Sequence, residues 1–305
     1  MKIAIAGATG FVGSRLVERL HSQGTRVLVI TRNTAFAQKV FPSRAYPNLE
    51  IVTYTQMISD SDNVLSSCDG VVNLAGESIA EGRWTPERKQ EILNSRKLGT
   101  QKIVAAIVKA NPQPKVLVNA SAIGFYGTSE TASFDETSPT GKDFLAEVCQ
   151  AWEAEAQKVT QALVRLVILR FGIVLGNGGA LGKMITPFKL FAGGPLGSGK
   201  QWFSWIHLDD VVNLIVQALT QPEMQGVYNA TAPHPVRMAQ LSTTMGQIMN
   251  RPSWLPVPAF ALEALLGDGA MVVLEGQQVF PKRTVDSGFR YQYSDLQSAL
   301  QQILK

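Results

Sequence analysis

Residues 2–13 read KIAIAGATGFVG, a short apolar run that ends in Gly7, Gly10 and Gly13, with a helix-forming stretch directly behind. An apolar run of this length bounded by glycine is a buried strand, and the amphipathic FVGSRLVERLHSQG that follows it is a helix. Glycines at this place, between a first strand and a first helix, suit a dinucleotide pyrophosphate. Gly7 permits the tight turn, Gly10 lets the backbone approach the phosphates, and Gly13 lets the helix pack closely on the sheet. Free N–H groups at the helix start favour the negative charge. The alternative is a tight strand-to-helix turn that holds no ligand.

Working outward, RVLVIT, LEIVTY, GVVNLA and KVLVNA repeat the apolar run, and helical stretches separate them, the longest from Pro86 to Lys109. A further helix, from Lys142 to about Gln161, leads into LVRLVILRFG. Strands alternating with helices give parallel pairing through crossovers. Strands that are nearly continuous in Val, Ile, Leu and Ala are covered on both faces. The expected fold is therefore α/β, a Rossmann-type doubly wound parallel sheet of at least six strands by residue 172. Residues 176–205 turn rich in Gly, Phe and Trp, and the chain beyond 233 carries several prolines and separate helical pieces. The expected division is a dinucleotide-binding domain over 1–175, its sheet completed by about 205–232. Residues 176–204 and 233–305 then form a smaller C-terminal substrate-side lobe.

The second strand ends in Thr31-Arg32-Asn33, with no acid where an NAD-preferring site places one against the ribose 2′-hydroxyl. A guanidinium there matches a 2′-phosphate, since its planar fork of donors fits phosphate oxygens. NADP(H) is the expected cofactor, the other reading of Arg32 being a solvated surface charge.

Twenty-eight basic against 24 acidic residues give a net charge of +4, and no block of five or more Lys/Arg appears, so no nucleic-acid partner is expected. Cys68 and Cys149 stand far apart and in no metal or redox spacing, and His21, His207 and His234 are dispersed, so no disulfide framework and no metal site are expected. MKIAIAG starts the first strand at once, without a leader pattern, and no apolar run reaches membrane-spanning length. A cytoplasmic protein with no membrane span is the expectation. Residues 194–200, GPLGSGK, look like a phosphate loop, but Gln201 replaces the Ser/Thr and no strand precedes them, so the match is set aside.

Four further segments, in order, resemble the extended short-chain dehydrogenase/reductase type of the NAD-dependent epimerase/dehydratase superfamily: NLAGE at 73–77, NASAIGFYG at 119–127, LRFGIVLG at 169–176 and WIHLDDVV at 205–212. Within it the chain is most similar to the atypical subgroup called epimerase family SDR39U1-like, or YfcH- and SulA-like. That likeness rests on LAGESIAEGRW at 74–84, GGPLGSGKQWFSWIH at 193–207 and VFPKRTVDSGFRY at 279–291. The resemblance implies cofactor contacts from Thr9, Phe11, Val12, Thr31, Arg32, Leu74, Ala75, Gly76, Glu91, Arg96 and a residue near Ile173. It also implies a homodimer, meeting through the helices at 86–109 and 142–161.

Members of the superfamily carry a Tyr and, four residues later, a Lys on the helix after the active-site Ser. Here the corresponding helix reads Phe144-Leu145-Ala146-Glu147-Val148, so Phe144 and Val148 stand where the proton-transfer pair is expected. Ser121 remains as a candidate catalytic residue. Tyr126, five residues on, is either a substitute acid or a packed aromatic. Two functions follow. One is an NADP(H)-dependent epimerase or oxidoreductase acting on a nucleotide sugar or another small carbonyl or alcohol. The other is an NADP(H)-binding regulatory protein with little turnover, a reading the resemblance links to cell or plastid division.

Overall fold

The computed structural model describes residues 1–58 and 63–305. Its centre is a seven-stranded sheet of β1 (Lys2–Ala6), β2 (Arg26–Thr31), β3 (Leu49–Thr53), β4 (Gly70–Asn73), β5 (Val116–Ala122), β6 (Arg165–Phe171) and β7 (Gly226–Ala230). The spatial order is β7-β6-β5-β4-β1-β2-β3, and every neighbouring pair is parallel. This is the expected doubly wound sheet, with a seventh strand after the excursion through residues 173–225.

Successive side chains of a strand point to opposite faces, and both faces are buried. Ile3, Ile5, Val27 and Val29 share a core with α1 (Phe11–Ser22), α2 (Thr34–Val40) and α6 (Leu208–Thr220). Ala4, Ala6, Leu28 and Ile30 pack under α3 (Pro86–Lys109) and α4 (Phe144–Gln157). Continuous apolar strands are the consequence of this double cover. Short polar side chains set where the helices start: Thr85 accepts from Arg88 N ahead of Pro86, and Asp143 from Ala146 N. A cap of this kind satisfies a donor that the first turn leaves free. The α4 helix begins at Phe144 and ends at Gln157, and a 3₁₀ turn, Lys158–Ala162, completes the predicted segment.

A further apolar core packs α5 (Gly179–Lys189), α7 (Met238–Met249) and α8 (Leu296–Leu304) around Leu175, Phe188, Trp205, Leu241 and Leu300. His207 caps α6, its Nδ1 accepting from Asp209 N. Its other ring nitrogen, Nε2, therefore donates to Gln302. The fully buried Asp210 carboxylate accepts from the backbone N–H groups of Gln292 and Tyr293, which ties the C-terminal segment to α6. Among the described residues no helix is long and apolar enough to cross a membrane.

Candidate functional site

The strand order reverses between β1 and β4, and a crevice opens at the carboxyl ends of strands at such a switch point. A cleft of about 520 Å³ lies there. Gly7, Thr9 and Gly10 from the first turn, Thr31 and Arg32 from the end of β2, and Leu74, Ala75 and Gly76 after β4 all line it. The glycines shape it: Gly7 has φ +78°, and a Cβ there would stand 2.7 Å from the Leu74 carbonyl. A Cβ on Gly13 would overlap the backbone of Gly7 and Ala8. Gly10 is the N-cap of α1 without a side chain to cap it, so Phe11, Val12 and Gly13 present their N–H groups with no side-chain competitor. The residues present fit a dinucleotide with a pyrophosphate at this helix start.

The Phe11 ring lies against Gly176, Gly178 and Gly179. Arg32 is 78% exposed and pairs with Glu77 at 2.9 Å, so the guanidinium is a solvated charge on the rim of the cleft with an acid for a partner. That acid holds its proton weakly, because the hydrogen bond from Arg32 lowers its pKa. Arg96 lies against Gly76, its Cζ 3.0 Å from where a Cβ of that glycine would be. It donates to Ile92 O at 3.1 Å and stacks over Trp152. Among the described residues no carboxylate pairs with Arg96. Glu91 is exposed and bonded to Arg88 at 2.9 Å, off the cleft lining. Ile173 begins the short strand Ile173–Leu175, pairs with Trp205 and packs on the core around Trp205 and Leu241.

The α3 wall of the cleft carries Asn94, Ser95, Leu98, Gly99 and Lys102, and none of these is among the sequence candidates. Their spacing of three and four residues on one helix, small or polar in an amphipathic stretch, is the signal that would have marked them. Glu77, the last residue of NLAGE, is the one acid among the described residues of the cleft lining, and the sequence candidates do not include it.

Ser121, 2% exposed and not among the residues that line the cleft, sits at the end of β5, paired across the sheet with Arg170 of β6. Its hydroxyl donates to Glu153 Oε1 at 2.6 Å, and Arg170 holds both oxygens of that carboxylate, each at 2.8 Å. Arg170 also donates to Tyr126 Oη at 3.0 Å, and Tyr126 donates to Asn229 Oδ1 at 2.7 Å. Tyr126 is 3% exposed, stacks on Phe134, and burial pushes its hydroxyl above the usual tyrosine pKa. A phenol with both partners supplied by the protein fits the packed aromatic of the two readings.

Phe144 and Val148 do not face Ser121, and that expectation is corrected here by one residue. Phe144 meets Trp84 edge-on and Val148 packs with Trp84 and Ile92. The face turned to the end of β5 carries Leu145 against Gly124, Cys149 bonded to Ala122 O, and Glu153 bonded to Ser121. Asp143 caps the helix and fixes its start. The chemistry is unchanged, since leucine transfers no proton and burial pushes the Cys149 thiol up to about 11.

Residues 3–231 match the family described as the NAD dependent epimerase/dehydratase family, and residues 257–303 match one described as a domain of unknown function. The Arabidopsis thaliana "Epimerase family protein SDR39U1 homolog, chloroplastic" is 50% identical over all of this chain and 87% of that protein. The Bacillus subtilis "Epimerase family protein YfhF" is 41% identical over all of this chain and 98% of its own length. The crystal structure of human epimerase family protein SDR39U1, solved with NADPH, superposes with a TM-score of 0.90 at 35% identity, covering 99% of each chain.

Proposed function

Because the chain belongs to the NAD dependent epimerase/dehydratase family, and within it to the SDR39U1 group, we propose that it binds NADP(H) and exchanges hydride with a small carbonyl or alcohol substrate. A nucleotide sugar falls within that class. The cofactor reading is supported by the first turn, Arg32 and the 74–76 segment meeting in one cleft, and by the NADPH in the human relative's structure. When bound, the nicotinamide supplies the hydride chemistry. The rest falls to side chains of this protein.

The observation that carries the reading is the Ser121–Glu153 pair. In an alcohol oxidation Ser121 takes the substrate hydroxyl proton while its own passes to Glu153, along the 2.6 Å bond already formed. In the reduction both moves reverse. Arg170 fixes the carboxylate in place. A positioned acid or base of this kind is worth about 10²- to 10⁴-fold in rate.

A second reading, an NADP(H)-binding regulator with little turnover, is favoured by Leu145 and Cys149 on the face next to Ser121. One experiment separates the two. Labelled NADPH is incubated with the protein and a panel of carbonyls and sugar nucleotides, beside Ser121→Ala and Glu153→Gln. Transfer of label that falls about 100-fold or more in both variants, with NADPH still bound, supports the enzyme. Tight NADPH binding without transfer to any member of the panel leaves the regulator.

A further inference from the structure

Arg32 and Glu77 follow the two strands that flank β1, and their ion pair joins two segments that line the cleft. A 2′-phosphate that takes Arg32 must displace the Glu77 carboxylate, or else lie beside a like charge. Glu77 has a second cation within reach. Its other oxygen is 3.5 Å from Arg88 Nη1. Arg88 is itself held in place, by Glu91 at 2.9 Å and by the Ser78 carbonyl at 2.6 Å. Its Nε is buried and has no hydrogen-bond partner, a costly condition for a charged donor. The Glu77 backbone is meanwhile anchored by Ser95 Oγ, so the carboxylate can swing while the loop stays.

We propose that Glu77 is a cofactor-selecting residue, which holds Arg32 across the cleft and closes on Nη1 of Arg88 when a 2′-phosphate takes the Arg32 guanidinium. The proposal rests on the reading that this cleft takes NADP(H). Glu77 then opposes NADPH binding by the strength of one exposed ion pair, and Arg88 gives part of that back. NADH, without the 2′-phosphate, leaves the pair undisturbed. Arg88 is thus a positioning residue that acts on NADPH alone, at a distance from the dinucleotide.

The test measures dissociation constants for NADPH and NADH, by nicotinamide fluorescence, in the full chain and in Glu77→Gln, Arg88→Lys and the double variant. Lysine keeps the charge and removes the guanidinium whose Nη1 faces Glu77. Glu77→Gln is expected to tighten NADPH by about twofold to fivefold, the range of an exposed pair, with NADH unchanged. Arg88→Lys is expected to weaken NADPH by a similar factor and to have no effect once Glu77 is gone, since the coupling runs through that carboxylate. Weaker NADPH binding in Glu77→Gln, an unchanged NADPH-to-NADH ratio, or an Arg88→Lys effect that persists in the double variant overturns the exchange. Any of these leaves the cofactor reading intact. Failure of the unaltered protein to bind either dinucleotide overturns that reading, and this one with it.

Discussion

The Ser121 hydroxyl and the Glu153 carboxylate are 2.6 Å apart at the end of β5, and the same carboxylate is chelated by Arg170, whose side chain is 5% exposed. Breaking a buried pair by removing one partner leaves an uncompensated charge, which costs about 3–5 kcal/mol. Glu153→Ala should therefore lower the unfolding free energy, measured in urea, by about 3 kcal/mol or more. Ser121→Ala removes a single hydrogen bond and should cost about 1 kcal/mol. Equal costs would mean that Arg170 finds another partner, and that the pair is not the anchor of this end of the sheet.

Tyr126 separates packing from chemistry. Its hydroxyl accepts from Arg170 and donates to Asn229, and both bonds are buried. Tyr126→Phe leaves Asn229 without its donor and should cost about 1–3 kcal/mol of stability. Labelled hydride transfer should survive in the fraction that stays folded. Loss of transfer with stability intact would instead make Tyr126 the acid.

Two glycines of the same residue type should respond with opposite sign. Gly13 in α1 has the backbone of Gly7 and Ala8 where a Cβ would go, and no side-chain rotation relieves that. Gly13→Ala should destabilise the protein and abolish NADPH binding, because the turn that holds the pyrophosphate must shift. Gly182 lies inside α5 with nothing within 4 Å of a built Cβ. Gly182→Ala should stabilise by about 0.5–1 kcal/mol through the unfolded chain, with NADPH affinity unchanged. Melting temperatures and fluorescence titrations of the two variants check both halves.

The contrast between these glycines also shows how far residue order alone leads. Strand periodicity and the glycine spacing identify the doubly wound sheet and its first turn, because both depend on contacts close in sequence. The phase of α4 does not follow in the same way. Residues 144, 145, 146, 148, 149 and 152 are all apolar or thiol-bearing, since α4 is covered on several sides by the sheet, α3 and the Trp84 cluster. Nothing in that pattern separates the 144/148 face from the 145/149 face, and contacts distant in sequence decide it, Phe144 on Trp84 and Leu145 on Gly124. Arg32 was legible as a charge at the end of β2. Its partner was not, since Glu77 lies 45 positions on and only the parallel register of β2, β1 and β4 brings the two together.

The two thiols make stability depend on alkaline pH. Burial pushes both Cys68 and Cys149 from 9.0 up to about 11 in the folded chain. A raised folded value means that the native state holds the proton after the unfolded chain has released it. The associated stability is thus fully present below pH 9 and is lost as pH rises toward 11. Between pH 8 and about pH 10 each thiol should remove about 1 kcal/mol from the unfolding free energy. Tyr46, Tyr54, Tyr126 and Tyr291, also raised by burial, add to the fall as the pH nears their ordinary value of 10.0, so the share of each thiol is the difference between parent and variant. Urea unfolding of the unaltered protein, Cys68→Ala and Cys149→Ala at the two pH values measures the slope. Each variant should show a smaller fall than the parent, whatever its stability at pH 8. An unchanged fall in both would assign the alkaline loss to other groups, and Cys149 would then be more open to solvent beside Ser121 than its 3% exposure implies.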